Sequence, residues 1–331
     1  MTNDHADCRL PSSVFRLPSS VFCPASNSFV FCLELFCLPV FPSPVSSVTI
    51  YVPATSANLG PGYDCLGLAL NLHNRVTITR TTSPGESPAH PMVAQIASLF
   101  FNHHQTNTSP FGFTWHIEGE VPRSRGLGSS VTVRLGVLMG LNALAGNPLN
   151  REILFNICTI AEGHPDNVAP AVFGGFALAS STQHFRFEVD PRLKAVIAIP
   201  ALEVETSQAR AALPTSIPHA EAAKNTANAA VIVAAFATGQ YEKLVGAFHD
   251  YLHQPYRQHL IPGLFDTINA GIDAGALGGY LSGSGSTIAC LTLSEDPQSI
   301  AQAMQAALAA KQISSHTHIL TPDNQGAQVQ L

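Results

Sequence analysis

The first stretch of this sequence that could do chemistry is a glycine-rich segment, RGLGSS at residues 125–130, which leads into a predicted helix. Apolar residues at helical spacing begin at Val131, and Gly146 stands where a left-handed residue that ends a helix belongs. Either Ser129 or Ser130 is expected to cap the N-terminus of this helix.

The N-terminus of a helix exposes unpaired amides and carries a partial positive charge, and glycines allow an anion to approach those amides closely. The segment could therefore cradle a phosphate group. It lacks the lysine of the common nucleotide-binding loop and the GxGxxG spacing of the dinucleotide fingerprint. An ordinary serine-capped core helix after a glycine loop is the alternative, and this stretch alone favours neither.

Other stretches concentrate polar side chains that could serve the same site. VPATSANLGPGYDCLGLAL places two of them on a glycine-bounded loop, where such residues also occur simply because they favour turns. EGHPDNVAP packs four into six residues between a helix end and an apolar segment, which turns alone explain less well. ETSQAR, HQPYR and the turn LSGSGST add further candidates. The candidate residues are Asn58, Asp64, Glu162, His164, Asp166, Asn167, Thr206, Arg210 and Arg257.

Composition narrows the class of protein. The chain has 331 residues, of which 46% are hydrophobic, and this is enough for two ordinary domains with their own cores. The net charge is −6 and no stripe of lysine and arginine is present, which argues against nucleic acid as a partner. Seven cysteines without paired spacing argue against a disulfide framework and predict a reducing, cytoplasmic setting.

The first 47 residues differ from the remainder of the chain. They contain LPSSVF twice in tandem, and their apolar run FVFCLELFCLPVF is too short for a transmembrane helix. The start is not the basic region of a signal peptide, so no membrane association is expected. We expect residues 1–47 to be a low-complexity extension outside the fold, and our hypothesis is that Met1 is a misassigned start.

The elements that must position these residues can be predicted from periodicity and from turn residues. The predicted strands are 47–55, 74–80, 113–122 and 194–204, with a pair around the glycine-serine turn in 275–293 and a last strand in the tail. The predicted helices are 92–104, 130–145, 151–162, 219–238, 240–253 and 297–311. Strands and helices mix without a regular βαβ repeat, which favours an α+β fold.

Three signatures occur in a characteristic order: PATSANLGPGYD, then GLGSS, then SGSGST. In these motifs the chain resembles the superfamily of galactokinase, homoserine kinase, mevalonate kinase and phosphomevalonate kinase. VPATSANLGPGYDCLGLAL, EGHPDNVAP and HQPYR resemble the homoserine kinases in particular, and the likeness covers about residues 48–293. It implies an N-terminal ribosomal-protein-like α+β nucleotide domain at 48–185 and a C-terminal ferredoxin-like α+β domain at 186–331.

The resemblance also implies roles for individual residues. It implies that ATP phosphates lie in a loop formed by Pro122, Arg125, Gly126, Leu127, Gly128, Ser129 and Ser130. Ser130 and Glu162 would hold Mg²⁺, which prefers a few protein oxygens together with phosphate. With Asn167 and Thr206, near the reacting hydroxyl, these two would form the catalytic set.

The same resemblance implies L-homoserine as the small-molecule substrate. The residues facing it would be Asn58, Asp64, His164 and Asn167, with Arg210 and Arg257 as the carboxylate clamp. Asp64 would suit the ammonium group, and a guanidinium fork matches a carboxylate. Asp166 is tempting as a general base but is expected to lie behind the residues that touch substrate, because positioning and charge neutralisation can suffice for phosphoryl transfer. A homodimer is compatible with the sequence.

Some positions depart from the family pattern. Thr132 and Arg134 follow the two serines where small residues are usual, and Arg134 is expected either to reach solvent or to add positive charge near the phosphates. Ser284 and Ser286 replace the usual alanine and proline. Three alternatives remain: a sister kinase for another small alcohol, a non-catalytic ligand-binding relative, or a plain α+β domain whose glycine loops are only turns.

Overall fold

The structure is a computed structural model that describes residues 46–81, 90–180 and 183–330. The predicted N-terminal extension, residues 1–47, lies outside the described residues except for its last two.

Within the described ranges ten strands form two antiparallel sheets. In the first sheet the order is β10-β1-β2-β4-β5, with β3 also paired to β2, and in the second it is β7-β8-β6-β9. The strands are β1 Ser47–Ala57, β2 Leu66–Thr81, β3 Gly112–Gly119, β4 Phe176–Ala179, β5 His184–Phe187, β6 Lys194–Pro200, β7 Gly278–Leu281, β8 Ile288–Thr292, β9 Ser315–Leu320 and β10 Gln328–Gln330.

Nine α-helices accompany the sheets in the part of the chain that the structure describes, and none of them is long and apolar enough to cross a membrane. The helices are α1 Pro91–Phe101, α2 Ser129–Leu144, α3 Arg151–Glu162, α4 Val168–Phe173, α5 Thr206–Ala211, α6 His219–Thr238, α7 Gln254–Arg257, α8 Leu264–Asp273 and α9 Pro297–Ala310.

Three hydrophobic clusters hold these elements together. The first lies between the first sheet and α1–α4, and Ile50, Ile78 and Leu135 are fully buried in it. The second joins the two sheets, with Leu68 of β2 and Ile197 of β6 as members. The third fills the space between the second sheet and helices α8 and α9. Helices α1–α4 therefore cover one face of the first sheet and α8 and α9 one face of the second, while α6 packs into the cluster that joins the sheets.

Strand β2 is longer than the predicted strand 74–80, which forms only its second half. Its first half, residues 66–70, is buried at every position and therefore shows no alternation of polar and apolar residues. The preceding loop, residues 58–65, connects β1 to β2 and carries two of the candidate residues. The long β1–β2 hairpin thus presents that loop at one end of the first sheet.

The predicted helix 240–253 is wrong. Only Tyr241–Leu244 coil there, as one turn of 3₁₀ helix, and Gly246 then turns the chain with a φ of 78°. The carboxylate of Asp250 accepts hydrogen bonds from the amides of Leu252, His253 and Gln254, and so it starts the short helix α7. Polar side chains that bond backbone amides in this way compete with a continuous helix.

The C-terminal tail returns to the first sheet, where β10 pairs with β1. Asp323 anchors the tail: one oxygen lies 2.8 Å from Nε2 of His73 on β2, and the other accepts from the amides of Gln325 and Gly326. The first sheet therefore includes the last described residues of the chain. The domain boundary at 185/186 stays a prediction.

Asp323→Ala is expected to lower the free energy of unfolding by about 1.5–3 kcal/mol, the range for hydrogen bonds to a charged group. Burial by itself would raise the pKa of Asp323, but hydrogen bonds from His73, Gly326 and Gln325 outweigh it and the pKa is lowered. The stabilisation is therefore present above the pKa of the unfolded chain, near 3.9, and is lost as the pH falls through the folded pKa.

Urea unfolding of the variant and of wild type at neutral pH and at pH near 4 checks this, with the exposed Asp273→Ala as the matched control. If Asp323→Ala unfolds at the same urea concentration as Asp273→Ala, the tail contact does not stabilise the fold.

Candidate active site

A cavity of about 260 Å³ brings together most of the candidate residues. Twelve of the fifteen residues predicted for the site line it, and Pro122, Arg125 and Leu127 do not. The twelve are Asn58, Asp64, Gly126, Gly128, Ser129, Ser130, Glu162, His164, Asn167, Thr206, Arg210 and Arg257. They come from the β1–β2 loop, the glycine segment, the α3–α4 connection, α5 and α7. The topology therefore gathers residues that are up to 199 positions apart in the sequence.

The glycine segment lies at the N-terminus of α2, but its serines do not cap that helix as predicted. Gly128 is the N-cap residue, with a φ of 69°, and no side chain in the described ranges caps the first amides. The hydroxyl of Ser130 instead donates to Glu162. The first amides of α2 thus remain open toward the cavity, and this suits an anion.

The segment is held from behind through its carbonyl groups. Ser282 Oγ donates to the carbonyl of Gly126 at 2.6 Å, and the amide of Thr287 donates to the carbonyl of Arg125 at 3.0 Å. The carbonyl of Leu127 accepts from the amide of Thr55 at 3.2 Å, while its side chain is buried in the second cluster. Leu127 therefore anchors the loop instead of facing the cavity.

Two glycines of this loop leave no room for a side chain. A Cβ on Gly126 would lie 2.1 Å from the carbonyl oxygen of Ser282, and one on Gly128 would lie 2.1 Å from Oγ1 of Thr55. Both residues also have positive φ, a conformation that favours glycine. The motif GLG is thus explained by close packing against the neighbouring turn and strand.

A hydroxyl, a carboxylate and a guanidinium lie close together beside the first turn of α2. Ser130 Oγ lies 2.5 Å from Oε1 of Glu162, and Arg134 Nη1 lies 2.6 Å from Oε2. Arg134 therefore neither reaches freely into solvent nor lines the cavity, since its side chain is only 14% exposed and is paired with Glu162. A hydroxyl and a carboxylate are donor types that Mg²⁺ accepts.

The α3–α4 connection fixes a second group of polar side chains. Nδ1 of His164 donates to Asp166, and Asp166 also accepts from the amide and the side chain of Asn167. Thr55 donates to the Oδ1 of Asn167 at 2.7 Å. Burial lowers the pKa of His164, but the hydrogen bond to Asp166 and nearby carboxylates outweigh it and raise the pKa. Asp166, 3% exposed, thus orients two side chains that line the cavity.

The β1–β2 loop presents Asp64 opposite Arg210. Two guanidinium nitrogens of Arg210 lie 3.1 Å from the two oxygens of Asp64, and one of them also donates to the hydroxyl of Tyr63. Asn58 holds the loop in place by accepting from the amide of Asp64 and donating to the carbonyl of Gly283. The result is a half-exposed, two-pronged ion pair at the wall of the cavity.

The ligand atoms of Asp64, His164 and Asp166 lie within 4.8 Å of one another, a grouping that could in principle hold a cation. All three already have partners, because Arg210 bonds Asp64, and His164 and Asp166 bond each other. We therefore interpret the grouping as an anionic wall of the cavity, suited to an ammonium group.

Arg257 is buried, being 2% exposed, although it borders the cavity. Its Nε donates to the carbonyl of Ala209, and its Nη1 donates to the carbonyl of Gly283 and to Nδ1 of His253. Burial lowers the pKa of Arg257. Arg257 thus ties α5 and the glycine-serine turn to α7 as well as supplying positive charge.

Sequence reasoning missed three participants. Tyr63 contacts both arginines, with the Arg257 guanidinium 5.3 Å from its ring centroid, and it stands directly beside the predicted Asp64. The carbonyl of Gly283 accepts from Asn58 and Arg257, a role that no side-chain pattern reveals. His253 is fully buried between Gly60 and Arg257 and precedes the QPYR helix that the sequence did indicate.

Comparison with known proteins gives consistent matches. The family models described as GHMP kinases N terminal domain and GHMP kinases C terminal match residues 92–175 and 232–310. The homoserine kinase of Microchaete diplosiphon is 40% identical, with 86% of this chain and 98% of that protein covered. The homoserine kinase of Moorella thermoacetica is 37% identical, with 85% and 99% covered.

Solved structures agree with these matches. The crystal structure of homoserine kinase from Cytophaga hutchinsonii has a TM-score of 0.81 and 30% identity, and covers 88% of this chain and 99% of that one. The mevalonate kinase of Methanococcus jannaschii, at 14% identity and a TM-score of 0.64, shares the fold. The expected two-domain kinase fold of mixed α and β structure is confirmed.

The tautomer of His253 leads to a pH prediction. Its Nε2 donates to the carbonyl of Gly60 at 2.9 Å and its Nδ1 accepts from Arg257, so the ring is neutral in this arrangement. Burial is the largest influence and lowers the pKa of His253; Asp250 and the Gly60 carbonyl raise it and Arg257 lowers it, and the balance is a lowered pKa.

Because the folded pKa lies below that of the unfolded chain, the stabilisation is present above about pH 6.5 and is lost as the pH falls from there through the folded pKa. Wild type should therefore lose more unfolding free energy between pH 7.5 and pH 5.5 than His253→Gln, which cannot titrate. Urea unfolding at both pH values measures this, with the exposed His219→Gln as control. Equal losses in wild type and His253→Gln would refute the buried neutral histidine.

Proposed function

The chain belongs to the homoserine kinases of the GHMP kinase family, and we propose that it transfers the γ-phosphoryl group of ATP to the side-chain hydroxyl of L-homoserine, giving O-phospho-L-homoserine. One observation carries the choice of substrate: Asp64 and Arg210 form a two-pronged ion pair on the wall of the cavity that also contains the open end of α2.

An α-amino acid can replace that ion pair with two of its own. Its carboxylate offers Arg210 two acceptor oxygens, and its ammonium group offers Asp64 a cation, so that both side-chain charges stay paired when substrate enters. A sugar would break the Asp64–Arg210 pair without supplying either charge, and mevalonate, a carboxylate without an ammonium group, would supply only the partner of Arg210. The arrangement therefore favours a zwitterionic alcohol over the substrates of the sister kinases.

ATP phosphates fit the open N-terminus of α2. Among the described residues no side chain caps the first amides of α2, the helix has 16 residues, and Gly126 and Gly128 before it line the cavity. Electrostatic stabilisation by such fixed donors suits phosphoryl transfer, in which negative charge is spread over the oxygens of the transferred group. Arg125, beside Gly126 in the same loop, does not line the cavity and pairs with Glu203 at 3.2 Å.

Mg²⁺ is the metal we assign to Ser130 and Glu162. The fit rests on the donor set, because a hydroxyl and a carboxylate oxygen 2.5 Å apart lie beside the helix end that would hold the phosphates. When bound, the metal would neutralise phosphate charge during transfer. Glu162 and Ser130 would each offer it one oxygen, and the phosphates and water would offer the others.

The acceptor hydroxyl would be positioned by Asn167, with Thr206 and His164 nearby on the cavity wall. Thr55 and Asp166 fix the amide of Asn167, and the bond from Nδ1 of His164 to Asp166 leaves Nε2 for the substrate. Asp166 already accepts from His164 and Asn167, so its role here is to position these two. A homodimer, the absence of nucleic-acid partners and a cytoplasmic location stay predictions.

The substrate assignment is tested by coupled ADP release from ATP and Mg²⁺ with purified protein. We expect turnover with L-homoserine, and little or none with mevalonate, galactose or L-serine at the same concentration. Mevalonate and galactose lack the ammonium group that Asp64 would bind, and serine is shorter by one methylene. Turnover with galactose or mevalonate but not with homoserine would overturn the assignment.

Arg210→Lys tests the zwitterion site. Lysine keeps the charge but loses the two-pronged fork, so the KM for homoserine should rise roughly ten- to a hundredfold, which corresponds to about 1.5–3 kcal/mol. The KM for ATP should change little, because Arg210 lies on the homoserine side of the cavity. Arg192→Lys, in an exposed ion pair with Asp190, is the matched control.

A substrate analogue sharpens the measurement. 3-Aminopropan-1-ol lacks the carboxylate, and it should bind wild type and Arg210→Lys about equally poorly. Unchanged homoserine kinetics in Arg210→Lys would remove Arg210 from the clamp. Arg257→Lys is a less clean variant, because Arg257 also bonds Ala209, Gly283 and His253.

A further inference from the structure

Arg134 is the one family departure that the structure ties directly to a proposed metal ligand. Ser130 and Arg134 stand four residues apart on α2 and therefore share a face of that helix. Both reach across to Glu162, the last residue of α3, and bond one carboxylate oxygen each. Ser130 and Glu162 line the cavity and Arg134 does not, so Arg134 lies behind the carboxylate.

The position of Glu162 is unfavourable without a cationic partner. A helix C-terminus carries a partial negative charge, which disfavours a carboxylate there. The Glu162 side chain is only 10% exposed, so water cannot fully compensate. Arg134, at 2.6 Å and 14% exposed, supplies the opposite charge and restricts the rotation of the carboxylate.

The geometry also divides the two oxygens of Glu162. Oε2 is occupied by Arg134, whereas Oε1 is bonded, within the part of the chain that the structure describes, only by the hydroxyl of Ser130, which can turn its lone pairs toward a cation. Nε of Arg134 is buried with no hydrogen-bond partner among the described residues, so no extensive network accounts for the presence of the guanidinium. Its pairing with Glu162 remains as the reason for its position.

We propose that Arg134 is a positioning residue that holds Glu162 by Oε2 and leaves Oε1 directed at the metal, and so increases the contribution of Mg²⁺ to nucleotide binding. This inference rests on the proposed metal role of Ser130 and Glu162. The charge of Arg134 also repels a cation at Oε1, which is the opposing effect. Positioning by Arg134 strengthens metal binding, whereas its repulsion of the cation weakens metal binding. Removing the guanidinium should therefore weaken metal binding if positioning dominates and strengthen it if repulsion dominates.

The experiment measures how much the metal tightens nucleotide binding, without turnover. Isothermal titration calorimetry of the ATP analogue AMP-PNP, once with saturating Mg²⁺ and once with EDTA, gives two dissociation constants, and their ratio is the metal contribution. We expect Arg134→Met to lower this ratio roughly tenfold, within the range for outer partners of metal ligands, and to leave the dissociation constant in EDTA nearly unchanged. The KM for homoserine should also change little.

Four further variants complete the design, one of them Glu162→Gln alone. Arg134→Lys keeps the charge and should retain most of the metal contribution. In a Glu162→Gln background, Arg134→Met should change the ratio by less than about twofold, because an effect that acts through Glu162 is not additive with its loss. Arg192→Met removes an exposed arginine of an ion pair and should leave the ratio at the wild-type value.

Each outcome has one meaning. If Glu162→Gln alone keeps the wild-type ratio, the metal assignment in the proposed function is wrong, and the role of Arg134 is overturned with it. If Glu162→Gln lowers the ratio but Arg134→Met does not, only the positioning role is overturned. The positioning role is also overturned if Arg134→Met raises the ratio, or if Arg134→Met lowers the ratio in the Glu162→Gln background as much as it does in the wild-type background. Should Arg134→Met fail to fold by thermal melting, Arg134→Gln takes its place with the same expectation.

Discussion

The structure of the site depends on one constraint: the first amides of α2 must stay free of side-chain caps and yet be held at a fixed position. An exposed helix N-terminus is ordinarily stabilised by a serine, threonine, aspartate or asparagine at the N-cap, and here Gly128 occupies that place. The stabilisation comes instead from bonds to the loop carbonyls by Thr55, Ser282 and Thr287. Because these donors belong to β1 and to the β7–β8 turn, the shape of the glycine segment depends on both sheets.

The charged side chains of the cavity are likewise stabilised by partners from other parts of the chain or from the same loop. Asp64 is paired with Arg210, Glu162 with Arg134, and Asp166 with His164. Charges of this kind, buried or half-buried, are tolerated because each has a partner within hydrogen-bond distance. A ligand that brings its own opposite charges can exchange partners at little cost, whereas a neutral ligand must separate a pair. The proposed selection of a zwitterion therefore follows from the way in which these charged side chains are paired.

Much of this could be read from the sequence because the signals are local. The glycines at 126 and 128, the density of EGHPDN and the periodicity of α2 predicted the loop, the polar cluster and the helix. What the sequence could not supply was long-range pairing. The predicted cap by Ser129 or Ser130 is wrong because the helix already begins at Ser129, with Gly128 as its N-cap, and the hydroxyl of Ser130 bonds Glu162, 32 residues further along the chain. The helix at 240–253 failed because Asp250 bonds amides of the next turn, and Arg257 proved buried because Ala209, Gly283 and His253 occupy its donors.

Arg134 shows how a departure from a family pattern can have a physical cause that is visible only in three dimensions. On α2 it breaks a run of small and apolar residues, and by helical periodicity alone it could be placed on the solvent side. In the fold it meets a carboxylate at a helix C-terminus, where the helix dipole disfavours negative charge. Each residue is unfavourable by itself: Arg134 lies among apolar residues, and Glu162 lies at the helix end that disfavours negative charge. Their ion pair, 2.6 Å long, offsets both unfavourable effects. Such paired exceptions are expected where a functional oxygen must be held at a position that local propensity would not select.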